Sequence, residues 1–203
     1  MKINKIKTFL YIVLLIILIL LAIIVTILIF NKHSERNIYE DKNQEIVQQF
    51  KNSLNALQAN VEDEKIQNIE LEFEGYKVIG IIKIPKINLE YPILEETTQA
   101  TMKTSISRFW GGDINSFGNV SLAGHNNYDG TMFGKNKKLE IGDIVELTDL
   151  TGSTIQYEIK EIFKTDPNDV TILQTTNSEI REVTLITCTN GRAERLIIKA
   201  IEK

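Results

Sequence analysis

The sequence predicts a mainly β domain with short helices, held behind an N-terminal transmembrane helix and a helical spacer. Three observations predict it. Residues 8–30 form one uncharged apolar run; residues 31–74 are polar, with apolar positions at helical spacing. From Tyr76 onward, short β-branched runs alternate with turn residues, the pattern of an all-β sandwich or barrel. The expected boundaries are 1–30 for a cytoplasmic tip and membrane anchor, 31–75 for an external helical linker, and 76–203 for the β domain.

The run from Thr8 to Phe30 carries no charge. At about 1.5 Å per residue it is long enough to cross a hydrocarbon core of roughly 30 Å. A cleaved secretory signal would have an apolar region of only about 7–15 residues, ending at a small-residue site. The run is longer than that, and no such site follows it. Lys2, Lys5 and Lys7 precede it and Lys32, Arg36 and Lys42 follow it. The tighter cluster on the N-terminal side favours a cytoplasmic N-terminus, with the rest of the chain outside.

Beyond Phe30 the chain holds 20 basic and 27 acidic residues, a net charge of −7. That excess argues against nucleic acid as a partner and against adhesion to an anionic lipid surface. In the spacer, Ile46, Val47, Phe50, Leu54, Leu57 and Val61 suit an amphipathic helix that lifts the domain off the membrane or packs loosely on it. No Pro or Gly interrupts this stretch.

Six strands are expected: Val78 to Ile84, Val120 to Ala123, Ile144 to Leu147, Thr154 to Phe163, Val183 to Thr187 and Leu196 to Ile201. Gly111-Gly112, Asp129-Gly130, Gly142-Asp143, Thr151-Gly152, Asp166-Pro167 and Asn190-Gly191 punctuate them. Pro85 and Pro92 should end or edge strands, because proline cannot donate to a central ladder. Short helices are expected at Thr98 to Ser105 and around Lys135 to Leu139.

The chain has one cysteine and two histidines. A lone thiol in an exported protein is buried, paired with another chain, or used chemically. Cys188 ends the strand Val183 to Thr187, and Arg195 lies in the next one. A tight turn at Asn190-Gly191 sets Cys188 opposite Ala193; a six-residue loop sets it opposite Arg195. In both registers Cys188 and Arg195 share a sheet face, since side chains alternate. Val183, Leu185, Leu196 and Ile198 form the apolar opposite face, which leaves Cys188 and Arg195 on the less apolar side. Arg192 leaves their face in the tight register.

His125 ends the strand Asn119 to Gly124 and opens a polar loop, Asn126 to Gly130, where functional side chains often sit. His33 falls in the linker and is expected to be a solvated residue. A Cys and a His brought together are the minimum apparatus of nucleophilic acyl transfer, and an arginine can stabilise the oxyanion. One Cys and two distant His give no zinc site, and no metal or other cofactor is expected.

These residues resemble the sortases of Gram-positive cell envelopes. Thr184-Leu185-Ile186-Thr187-Cys188 matches the family's TLxTC motif, Ala123-Gly124-His125 its strand-end histidine, and Arg195 before Leu196-Ile197-Ile198 its arginine. Further similarity runs from Gly80 through Pro85 and Ile87 to Tyr91-Pro92-Ile93, then through Phe133 and Leu139 to Gly142-Asp143. Asn136 departs from it, standing where similar sequences more often carry an apolar residue.

The resemblance implies a closed β-barrel of about eight strands and a two-step reaction on an LPxTG-like sorting signal. Cys188 would cleave the Thr–Gly bond and form a thioacyl enzyme. An amine of a peptidoglycan precursor would then resolve it, joining a surface protein to the cell wall. His125 would act as acid and base, and Arg195 as electrostatic stabiliser. The single N-terminal anchor, and the lack of an acid-aromatic lid before the barrel, point to class A or class D types, class D being favoured.

Two other readings compete. A cell-wall cross-linking cysteine transpeptidase of another family would carry Gly directly before its Cys, as in an SHGC motif, and this chain does not. A non-enzymatic bitopic envelope scaffold would use residues 31–74 as its working part and bury Cys188.

Overall fold

The structure, a computed structural model, describes residues 2–59, 70–175 and 177–203. The expected spacer at 60–69, with Val61, lies outside the described residues, as does the side chain of His33. The chain divides into two compact units, 1–41 and 42–203. One helix, α1 (Lys2–Ala59), supplies the first unit and continues into the second.

In the first unit, residues 7–31 of α1 are exposed on every side. A helix apolar all round with nothing covering it is suited to lipid; this one is long and apolar enough to cross a membrane. The Thr26 hydroxyl donates to the Ala22 carbonyl at 2.8 Å, so a polar group within the apolar stretch is satisfied inside the helix.

The second unit contains β1 (Glu72–Phe73), β2 (Tyr76–Ile84), β3 (Leu89–Leu94), α2 (Thr101–Thr104), β4 (Ile106–Trp110), β5 (Gly118–Ala123), β6 (Ile144–Asp149), β7 (Thr154–Thr165), β8 (Arg181–Thr189) and β9 (Glu194–Glu202). The sheet order is β1-β2-β3-β4-β5-β8-β9-β7-β6, and β6 pairs back onto β2. Eight strands, β2 to β9, therefore close into a barrel, and β1 is a short addition to β2. Closure leaves no long unpaired edge. The pairs β3–β4 and β5–β8 are parallel, and the rest are antiparallel.

Inward-facing residues alternate along each strand and fill the barrel: Ile82 and Ile84 on β2, Leu122 on β5, Leu147 on β6, Tyr157 and Ile159 on β7, Leu185 on β8 and Ile198 on β9. The buried Tyr157 hydroxyl donates to Asn115 Oδ1 at 3.0 Å, and burial pushes its ionisation far above the ordinary phenol range. Asn136, the departure from the family pattern, is buried, and its Oδ1 has no hydrogen-bond partner among the described residues. It lies in a 3-10 turn, Phe133–Lys138.

All six expected strands are present, each a residue or two longer at one or both ends. β1, β3 and β4 were not expected. Pro92 sits inside β3, opposite Ile81, rather than at a strand end. The exception has a physical reason. The parallel ladder to β4 starts only at Ile93, and on that side the Ser105 hydroxyl donates to the Pro92 carbonyl at 2.7 Å. Pro85 follows the last residue of β2 and begins a 3-10 turn, Pro85–Ile87. The helix expected at 98–105 is reduced to α2.

The last part of α1, from Lys42, packs within the β-domain unit. Ile46 and Val47 are buried, and Phe50 is fully enclosed. Burial of a side chain such as Phe50 contributes about 1.5–3 kcal/mol. Polar contacts fix the helix at its flanks: Asn43 Nδ2 donates to the Thr104 carbonyl at 2.9 Å, and Lys51 pairs with Glu90 at 2.8 Å.

Candidate active site

Two adjacent parallel strands bring His125 and Cys188 together. β5 and β8 run in register from Gly118 opposite Arg181 to Ala123 opposite Ile186. The pairing then continues past the end of β5. Gly124 N–H donates to the Ile186 carbonyl at 3.2 Å, the buried Thr187 hydroxyl donates to the Gly124 carbonyl at 2.7 Å, and Asn126 Nδ2 donates to the Cys188 carbonyl at 2.9 Å. His125 is the residue between the last two ties.

Gly124 is required by a close approach. A Cβ there would lie 2.8 Å from the buried Phe133 ring. Phe133 in turn donates its N–H to the His125 carbonyl at 3.0 Å.

β8 and β9 form a hairpin in which Cys188 pairs directly with Arg195, the wider of the two registers the sequence allows. The turn residues Asn190, Gly191 and Arg192 have φ of 48°, 63° and 82°. Asn and Gly adopt this left-handed region readily; Arg192 is strained there by about 1–3 kcal/mol. Arg195 Nη1 donates to the carbonyls of Arg192 at 3.2 Å and Glu194 at 3.3 Å, which ties the guanidinium to the turn. Cys188, His125 and Arg195 are each half-buried.

The face that carries Cys188 is more apolar than expected. Val183, Leu185 and Ile198 do face the main core. On the other face Ile186 and Ile197 are buried against Ile172, with Phe163 and Leu173 packed on them. Ile172 belongs to a 3-10 turn, Thr171–Leu173, that a buried amide holds down. Asn119 Nδ2 donates to the Ile172 and Leu173 carbonyls, and its Oδ1 accepts from the Thr184 hydroxyl at 2.9 Å. Strand parity in β8 identifies one side of this shelf, but Ile172 comes from a distant loop that periodicity does not place.

Burial, and then the positive charge of Arg192, hold His125 below the ordinary imidazole value. The neutral ring, a proton acceptor, is thereby favoured near pH 7. Arg192 acts on His125 from the turn between β8 and β9. Among the described residues, neither Arg192 nor Arg195 forms an ion pair, so both charges remain available to an anionic group. Sequence reasoning singled out Cys188, His125 and Arg195 but not Arg192, Asn119 or Asn126. Their contribution depends on contacts between distant segments, for which the sequence carries no periodic signal.

Known proteins are similar to this chain in sequence and in fold. A sortase-domain family model matches residues 82–203. Sortase A of Bacillus anthracis is 29% identical over 113 residues, 55% of this chain and 52% of that protein. Sortase D of Bacillus subtilis is 34% identical over 112 residues, covering 54% and 53%. The chain thus spans about half the length of the curated relatives it matches. The solved structure of a Clostridium perfringens sortase D5 transpeptidase superposes with a TM-score of 0.62 at 31% identity, over 82% of this chain and 99% of that one. With the family model matching more than half of its length, and a closed eight-stranded barrel behind that match, the chain belongs to the sortase family.

Proposed function

We propose that this chain is a membrane-anchored cysteine transpeptidase that cleaves an LPxTG-like sorting signal between Thr and Gly and joins the released acyl group to a cell-wall amine. The observation that carries this reading is the pairing of Cys188 with Arg195, with His125 held at the end of the neighbouring strand. The likeness to a protein described as a transpeptidase supports it. The α1 helix would hold the domain at the outer face of the membrane, with the N-terminus in the cytoplasm.

In the first step the Cys188 proton passes to His125, and Sγ attacks the Thr carbonyl carbon. The carbonyl oxygen takes up the electron pair, and the Arg195 guanidinium stabilises its charge. The C–N bond breaks as His125 gives its proton to the leaving Gly amine, and a thioester remains. In the second step an amine of a peptidoglycan precursor attacks the thioester, His125 accepts its proton, and the thiolate leaves.

The test is turnover of a peptide library of LPxTG type with a small amine, using the full chain and Cys188→Ala. A joined product that requires both Cys188 and the amine is expected. Cleavage that survives Cys188→Ala, or a folded wild-type chain that joins no peptide, would overturn the reading.

A further inference from the structure

We propose that Asn126 is a positioning residue, whose side-chain amide ties the loop after β5 to the Cys188 backbone and so holds the His125 imidazole beside the Cys188 thiol. The proposal rests on the reading of Cys188 and His125 as the reacting pair.

The regular ladder between β5 and β8 ends before either residue. Its last register pair is Ala123 with Ile186, and its last backbone bond is from Gly124 N–H to the Ile186 carbonyl. Beyond that point only side chains hold the two strand ends together. Thr187 reaches back to the Gly124 carbonyl, one residue before His125, and Asn126 reaches forward to the Cys188 carbonyl, one residue after it. The His125 carbonyl itself is taken by Phe133 N–H. Three successive residues, 124 to 126, are therefore each fixed to a different point, with His125 in the middle.

The two side-chain ties differ in kind. That of Thr187 is buried, so its loss would leave an unpaired carbonyl inside the protein. That of Asn126 is exposed, and water can replace it at either end, so the bond adds little to global stability. Its effect falls on where the histidine sits. Because the acceptor is a carbonyl, only the NH2 end of the amide can make the bond, and an alanine cannot. Among the described residues, the charged group that acts on His125 is Arg192, from the turn between β8 and β9; Cys188 and Arg195 stand on the adjoining strands β8 and β9. None of them replaces the tie.

The test compares Asn126→Ala with Asn126→Gln in the full chain. A misplaced catalytic group costs on the order of 10- to 100-fold in rate. Asn126→Ala is expected to lower kcat for peptide turnover by on the order of tenfold or more and to leave KM within about twofold. Its melting temperature should stay close to wild type. Asn126→Gln, which keeps the donor, should recover most of kcat. The rate of Cys188 alkylation by iodoacetamide provides a readout that needs no sorting peptide, and in Asn126→Ala it should move toward that of His125→Ala.

Wild-type kcat in Asn126→Ala, a Gln variant as impaired as the Ala variant, or wild-type alkylation in Asn126→Ala would each overturn the proposal. Failure of the transpeptidase reading would look different: wild type would turn over no peptide, while the alkylation comparison would still report the position of His125.

Discussion

Replacement of Arg195 by Ala separates chemistry from architecture in this site. A guanidinium has five N–H donors. In Arg195 the Nη1 group is used on the carbonyls of Arg192 and Glu194; among the described residues Nε and Nη2 have no hydrogen-bond partner, and in the proposed mechanism they are the donors to the oxyanion. Loss of one such donor costs about 2.7–4 kcal/mol of transition-state stabilisation, or on the order of 10²–10³ in kcat. The two turn contacts, at 3.2 and 3.3 Å, are long for N–H···O bonds and only partly shielded from water. Their loss costs at most about 0.5–1.5 kcal/mol each.

Arg195→Ala is therefore expected to lower kcat at least about 100-fold. KM should change little, and melting should fall by only a few degrees, since about 1 kcal/mol shifts a domain of this size by roughly 2–4 °C. Steady-state turnover of a labelled peptide, with a parallel thermal melt, measures both. Turnover within threefold of wild type would remove Arg195 from the chemistry. A melt reduced as steeply as the rate would make its role structural.

Three further outcomes follow from the packing and charge around the site. Phe50→Ala should destabilise the unit formed by residues 42–203 by about 3–5 kcal/mol in a urea titration, because the ring is fully enclosed; a change under 1 kcal/mol would mean that this end of α1 is only loosely attached. Gly124→Ala should cost roughly 1–3 kcal/mol and reduce turnover, since its Cβ would press on the Phe133 ring and so on the loop that holds the His125 carbonyl; wild-type behaviour would show that Phe133 gives way freely. Arg192→Gln removes a positive charge that lowers the His125 value, so that value should rise toward the ordinary imidazole one. The acidic limb of the kcat/KM profile should then move to higher pH, and a limb that stays put or moves lower would contradict the assignment.

Several elements could be read in the sequence because one physical signal dominates each of them. The six expected strands are β-branched runs bounded by turn residues, and Ile46, Val47 and Phe50 share a helical face whichever partner they bury against. β3 and β4 lack such a signal. Leu89–Leu94 contains Glu90 and Pro92, and Ile106–Trp110 is short, with a bulge between Arg108 and Trp110. Pairing with β2 and β5 makes them strands, so tertiary context outweighs local preference.

The same division holds at the site. That Cys188 and Arg195 share a face follows from period two alone, but the register between them depends on the turn. Three residues in the left-handed region, one of them Arg192, give the wider hairpin. Asn190-Gly191 is as compatible with a two-residue turn, so the sequence leaves both open. Asn126 is one polar residue among several in its loop, and nothing in that loop marks it as the one that reaches Cys188.

The most direct test of the account is intact-mass spectrometry of the chain mixed with an LPxTG-type peptide and no amine. The account predicts a new species heavier by the peptide segment up to and including Thr, with the added mass on Cys188 and lost on addition of an amine. Absence of the adduct from a folded chain that nevertheless cleaves the peptide, or an adduct that persists in Cys188→Ala, would contradict it.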